Sequence, residues 1–214
     1  EWGRVSSFCS GWLIGCTRPA RMNESSVAPG QTATFDFPIV APSQPRLYNE
    51  TFGLVIDGRT TFSSGFMNFQ LDVQNPSFSA QPIWQNIYTN SSKSTSLGWN
   101  GGTLTRGQSY WAVVAMKNTG NTVWTKNSNP GVTDTRIATY PWGKQSSFCS
   151  GWLIGCTRPA GLVESSVSPG QTGTFEFPIT APNTVGTFNE SFGLVVDGRT
   201  TFSASLMNFQ FVVQ

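Results

Sequence analysis

An all-β chain built from repeated β-sandwich units is predicted by three observations. Short alternations of apolar and polar residues recur along the 214 residues, and no helical 3.6-residue periodicity lasts longer than a turn. Glycine and proline, 22 and 13 of them, punctuate the chain at strand-like intervals. The stretch SSFCSGWLIGCTRPA is spelled twice, from Ser6 and from Ser146. Around it, residues 1–74 lie over 141–214 without a gap, with 51 identities in 74 positions at an offset of 140.

The repeated segment, here the B half, reads as strands and turns. Phe35, Phe37 and Ile39 alternate with polar neighbours, and Phe175, Phe177 and Ile179 repeat them. Phe52, Leu54 and Ile56 alternate next, up to Asp57-Gly58, a type I′ hairpin signal. Met67, Phe69, Leu71 and Val73 form a last alternating strand. The segment 75–140, the A half, occurs once. It holds an apolar strand from Tyr110 to Met116, a turn at Asn118–Asn121 and Val123-Trp124 beyond, while 75–108 reads as partly irregular. One A half and one B half, residues 75–214, make a complete repeat the size of an immunoglobulin-like domain. Residues 1–74 make only the second half of another.

Composition narrows the function classes. Charged residues are 11% of the chain and aromatics 13%, the opposite of a disordered segment. The formal charge is +2 with scattered basic residues, so the clustered footprint of a nucleic-acid binder is missing. No run approaches the length that spans a bilayer, and no membrane insertion is expected. The first residues, EWGRVSS, lack the regions of a signal peptide, so for an exported protein the targeting segment is expected upstream.

The four cysteines form two C-x6-C pairs, Cys9 with Cys16 and Cys149 with Cys156. Two thiols per cluster and no histidine do not make a zinc site, and no metal or cofactor is expected. A disulfide within each repeat fits better and implies an oxidising compartment; buried free thiols are the alternative. Each bridge would fix the loop that carries Trp12 or Trp152. Arg18 and Arg158, in the same loop, are expected in a structural pair or turn rather than at a ligand.

Catalysis finds no footing. Without histidine there is no Ser–His or Cys–His pair. A glycosidase needs two facing carboxylates, and Asp134, Glu164, Glu176, Glu190 and Asp197 read as separate solvated side chains. The chain is expected not to be an enzyme. Trp111, Trp124, Trp142 and Trp152 lie at or beside strands and are expected in the core. Trp84, Tyr88 and Trp99 sit instead in a polar stretch, PIWQNIYTNSSKSTSLGWNGG. They read either as a glycan-stacking platform or as a cover on the open end of the sandwich. Asn23, Asn49, Asn90 and Asn189 begin Asn-x-Ser/Thr sequons, possible glycosylation sites in a chain where such triplets also arise by chance.

The order of WNGGTLTRGQSY (99–110), KNTGNTVW (117–124), WLIGCTRPA (152–160), VSPGQTGTFEF (167–177), APNTVGTF (181–188) and FGLVVDGRTTF (192–202) resembles the four-tryptophan immunoglobulin-like domain. That family occurs in a selective-autophagy receptor and in many bacterial surface and cell-wall proteins. The resemblance covers 99–214, and 1–74 for its second half; the C-x6-C pair departs from it in the direction of the exported bacterial versions. It implies an immunoglobulin-like β-sandwich and a non-catalytic, extracellular or cell-surface module.

Two functions follow as expectations. The first is a structural or adhesive tandem-repeat component of a cell-surface stalk, fibre or filament, whose partners are neighbouring repeats of the same or an identical chain. The second is a module that binds surface polysaccharide or cell wall for a secreted hydrolase. The halves also do not balance, since two B halves share one A half. Residues 1–74 lack the equivalent of the Tyr110–Met116 strand, and their completion is expected from outside these 214 residues, within a longer repeat protein or from a neighbouring molecule.

Overall fold

The computed structural model describes residues 2–126, 134–202 and 206–214 and contains strands, turns and bends but no helix among them. The chain divides into two compact units, Glu1–Asn75 and Pro76–Gln214. No helix of the described residues is long and apolar enough to cross a membrane.

The first unit holds β1 (Arg46–Phe52), β2 (Val55–Ile56), β3 (Thr60–Thr61) and β4 (Met67–Val73). β1 and β4 run antiparallel, from Arg46 opposite Val73 to Phe52 opposite Met67, and β2 pairs with β3. The Asp57-Gly58 signal does mark this hairpin, but the loop has three residues. Arg59 N donates to Ile56 O at 2.9 Å, and only Gly58 takes positive φ, at 72°. A type I′ turn would need positive φ at Asp57 as well.

The second unit continues with β5 (Ala80–Tyr88), β6 (Ser96–Gly98), β7 (Gly101–Leu104), β8 (Ser109–Asn118), β9 (Trp124–Thr125) and β10 (Thr135–Tyr140). It ends with β11 (Ala160–Gly161), β12 (Ser166–Val167), β13 (Thr172–Thr180), β14 (Gly186–Val196), β15 (Thr200–Thr201) and β16 (Met207–Val213). One sheet has the order β13-β8-β5-β6, the other β11-β10-β14-β16-β7 with β15 on β14, and β9 pairs with β12. The alternation read in the sequence is the burial pattern: Phe175, Phe177 and Ile179 point inward from one sheet, Phe192, Leu194, Phe209 and Phe211 from the other. Both sets belong to one core, as in a β-sandwich. The stretch 75–108 is partly irregular, as read: β5, β6 and β7 lie in it, separated by turns and by residues without regular structure.

Two local devices hold the edges. β13 lies at the rim of its sheet, where Pro178 forfeits no ladder bond. Its carbonyl faces away from β8 and accepts Trp152 Nε1 at 2.6 Å. At the far rim, β7 runs parallel to β16 with Gly101 opposite Gln210; a Cβ there would strike the Gln210 carbonyl, so the close approach needs glycine.

The same sequence folds differently in its two copies. Residues 172–180 form β13, while 32–40, with TATFDFPIV for TGTFEFPIT, form no strand. β14 is 11 residues long; its counterpart β1 stops after 7. The cause is pairing. β13 has β8 beside it and the end of β14 has β10, from Ser191 opposite Tyr140 to Val196 opposite Thr135. No such neighbours are present in the first unit. Burial follows pairing: Ile179 is 0% exposed and Phe209 2%, against 50% for Ile39 and 43% for Phe69. Each large side chain left half open forgoes roughly half of the about 1.5–3 kcal/mol that full burial brings.

The indole of Trp142 lies on Gly193, and Trp2 lies on Gly53 in the same way; a Cβ on either glycine would come within 2.6 Å of the ring. Gly193→Ala should therefore displace Trp142 and lower stability by about 1–2 kcal/mol, measured by urea unfolding. An unchanged midpoint would mean that the ring has room to move.

Candidate functional site

The pair of exposed tryptophans at β5 is the candidate site. β5 runs antiparallel to β8, but its register shifts between Pro82 and Trp84. The extra residue breaks the in–out alternation, so that Ile83 and Trp84 are both exposed. Trp84 is 46% exposed and Trp99, in the turn between β6 and β7, is 71% exposed. Both line one shallow groove with Ile83, Asn100, Met207 and Asn208. A second depression, lined by Asn100, Thr103 and Gln210 among others, lies on the far side of Trp99.

Gln85 fixes the groove. It is buried, and its Nε2 donates to Trp99 O at 2.7 Å and to Asn208 O at 2.6 Å. A buried amide is stable only with such partners. It ties the Trp99 turn to β5 and to β16, 123 residues away in sequence. Two flat apolar rings beside exposed amides can stack on a sugar ring while bonding its hydroxyls.

Of the three aromatic residues singled out in the sequence, the structure brings Trp84 and Trp99 together and leaves Tyr88 apart. Tyr88 stands opposite Trp111, away from the groove lining. Gln85, Asn208 and Met207 were not foreseen; a glutamine next to Trp84 was the available signal for the first. Trp124 and Trp152 are buried as expected of core residues. Trp111 and Trp142 are not: Trp111 is half-buried with Nε1 donating to Glu176 at 3.3 Å, and Trp142 is exposed beside Tyr140. Trp111 sits at a half-buried position of β8, and Trp142 lies in the turn after β10 rather than in a strand.

The cysteines are paired as Cys9–Cys16 and Cys149–Cys156, with Cα atoms 5.0 and 5.1 Å apart. Each closes the tryptophan loop. Arg18 Nε meets Asp57 at 2.9 Å and Arg158 Nε meets Asp197 at 2.8 Å, tying that loop to the hairpin turn in each copy. The four sequon asparagines are exposed. Asn23 Nδ2 donates to Asp36 at 2.7 Å and Asn90 Nδ2 to Ser94 at 3.1 Å; Asn49 and Asn189 accept from Gln70 and Gln210.

The acidic residues are not the free, solvated groups expected. Asp134 pairs with Arg136 at 2.6 Å, and Asp197 joins Arg136 to Arg158. Glu190 is buried on Lys144 at 3.0 Å, and Glu176 holds Lys93 at 2.8 Å. Glu164 accepts the Thr174 N–H at 2.9 Å. Folding brought Glu176, Glu190 and Asp197 partners from distant segments, whereas Asp134 and Glu164 are held by residues two and ten positions away. In the first unit, the hydroxyl and then the N–H of Thr34 hold the Glu24 carboxyl below the usual carboxylate range.

No protein-family model matches the chain, and no curated protein matches it. Among solved structures it is similar to a family 123 glycoside hydrolase from Clostridium perfringens that was described for glycolipid glycan hydrolysis, at 10% identity and a TM-score of 0.27. The match covers 63% of this chain and 27% of that one, a likeness too slight to carry an argument about fold or activity.

Proposed function

We infer that the chain is a non-catalytic, exported tandem-repeat protein of immunoglobulin-like β-sandwiches related to the four-tryptophan family, a structural or adhesive part of a cell-surface fibre or stalk. The observation that carries this reading is the repeat itself. The two copies keep the same disulfide-closed loop, the same indole-to-carbonyl bond and the same arginine–aspartate tie. Two disulfides support an oxidising environment. Antibodies against residues 1–214 should label the outside of intact producing cells at regular intervals along fibres. Label confined to the cell interior would overturn the proposal.

The Trp84–Trp99 groove favours a second reading, a module that holds its parent protein on polysaccharide. Co-sedimentation with purified cell walls and insoluble glycans separates the two. On the second reading the chain is retained, and Trp99→Ala lowers retention at least tenfold. Because the ring is exposed, stability should stay within about 0.5 kcal/mol. No retention of the unaltered chain would leave the fibre reading alone.

A further inference from the structure

The described residues of the first unit assemble half of a core with no strand of that unit closing it, and the second repeat shows what fits. The half is already assembled. Trp12 lies 5.9 Å from Phe37 and 6.0 Å from Phe52 by ring centroid, and Phe52 lies 5.7 Å from Phe69. In the covered copy, Trp152, Phe177, Phe192 and Phe209 repeat these contacts at 6.0 Å each.

Residues 32–40 are held in place too. Trp12 Nε1 donates to Pro38 O at 2.7 Å, Asn23 N to Thr34 O at 2.8 Å and Val40 N to Phe8 O at 3.0 Å. Trp152, Val163 and Thr180 make the equivalent bonds around β13 at 2.6, 2.9 and 2.9 Å. The segment is thus pinned along one edge in the manner of β13. No strand lies on the other edge, the one β13 turns to β8.

We propose that this face binds an A half-domain, a polypeptide with the pattern of residues 76–140. It is supplied from outside residues 1–214, because residues 141–214 already occupy the chain's own A half. Three strands dock together. A counterpart of β8 runs antiparallel to 32–40, with the Lys117 position opposite Thr32 as it is opposite Thr172. A counterpart of β10 lies along 51–56, and one of β7 lies parallel to β4. Phe62, now exposed, takes the place of Phe202, which packs edge-on against Trp124 at 5.6 Å and Phe78 at 5.9 Å.

One sequence change under this cover is compensated in part. Gly173, where a Cβ would crowd Leu162 at 2.8 Å and Val167 at 2.9 Å, is Ala33 in the first copy; the flexible Met22 replaces that leucine, while Val27 keeps the valine. A lipid, or a second first unit stacked face to face, would cover the rings but leave the edge of 32–40 unpaired. A strand added to a waiting edge satisfies both needs.

The test is a chain of residues 1–214 extended at its N-terminus by a second copy of 76–140, so that Tyr140 precedes Glu1 as it precedes Pro141. Amide exchange is read on 32–40, with 172–180 as the internal standard of folding. In the extended monomer, 32–40 should slow by about 100-fold or more relative to the unextended chain. Val114→Asp in the added segment alone should return 32–40 to fast exchange while 172–180 stay slow. Fast exchange of 32–40 beside a protected 172–180 in the extended chain would overturn the proposal, as would protection that survives Val114→Asp. Protection that appears in the unextended chain only as concentration drives it to a dimer would make a second copy the occupant, and would overturn it too.

Discussion

Trp152→Ala should lower the stability of the second unit by about 3–5 kcal/mol. The indole is buried, packs edge-on against Phe177 and Phe192, and closes the rim of β13 through its bond to Pro178 O. Its removal leaves a cavity beside a carbonyl that has lost its donor, and both terms have the same sign. Trp12→Ala provides a control inside the same chain. Trp12 makes the same bond and the same ring contacts but stays partly open to water, so its loss should cost clearly less. Urea unfolding of each variant gives the comparison. A cost below about 1 kcal/mol at Trp152 would remove it from the core.

Cys149→Ser with Cys156→Ser should destabilise the second unit by about 2–3 kcal/mol, the loop-closure value for so short a ring. The bridge encloses Trp152 and ends within the Ile154–Arg158 turn, so the loss is expected in that loop first. Arg158 should then leave Asp197, and the hairpin turn around Asp197 should loosen. Proteolysis of the oxidised and reduced chains reads this directly: cleavage should begin within 149–158 only after reduction. Equal cleavage of both forms would show that the aromatic contacts alone hold the loop.

The alternation of Phe175, Phe177 and Ile179 fixes both the strand and its buried face, and the sequence alone was enough for that. The same letters at 35, 37 and 39 gave the same expectation, and there it failed. A strand exists only where a partner fills its ladder, and β8 serves one copy. The stretch 75–108 concealed its strands for another reason. The shift at Ile83 and the inward Gln85 break the alternation of β5, and the Gln85 amide is satisfied only by carbonyls that the fold brings from elsewhere. The pairing of Glu190 with Lys144 and of Asp197 with two arginines depends on register across the sheet, which local composition does not encode. Of the groove, the tryptophans were legible as aromatics in polar company. Their convergence, and the separation of Tyr88 from them, follow from the β5–β8 register and the turn after β6.

An exposed apolar face and an unpaired edge are an association hazard that a mature protein covers. Whether the first unit is such an open half is decided most directly by amide exchange on residues 1–214, confirmed as a monomer at the concentration used. Residues 172–180, paired with β8, should exchange slowly, while the amides of Ala33, Phe35, Phe37 and Ile39, whose counterparts face β8, should exchange close to the rate of an unstructured chain; Thr34 and Val40, bonded to Glu24 and Phe8, are left out of the comparison. Slow exchange of both segments in the monomer would show that the first unit is complete by itself and would contradict the reading of an open half.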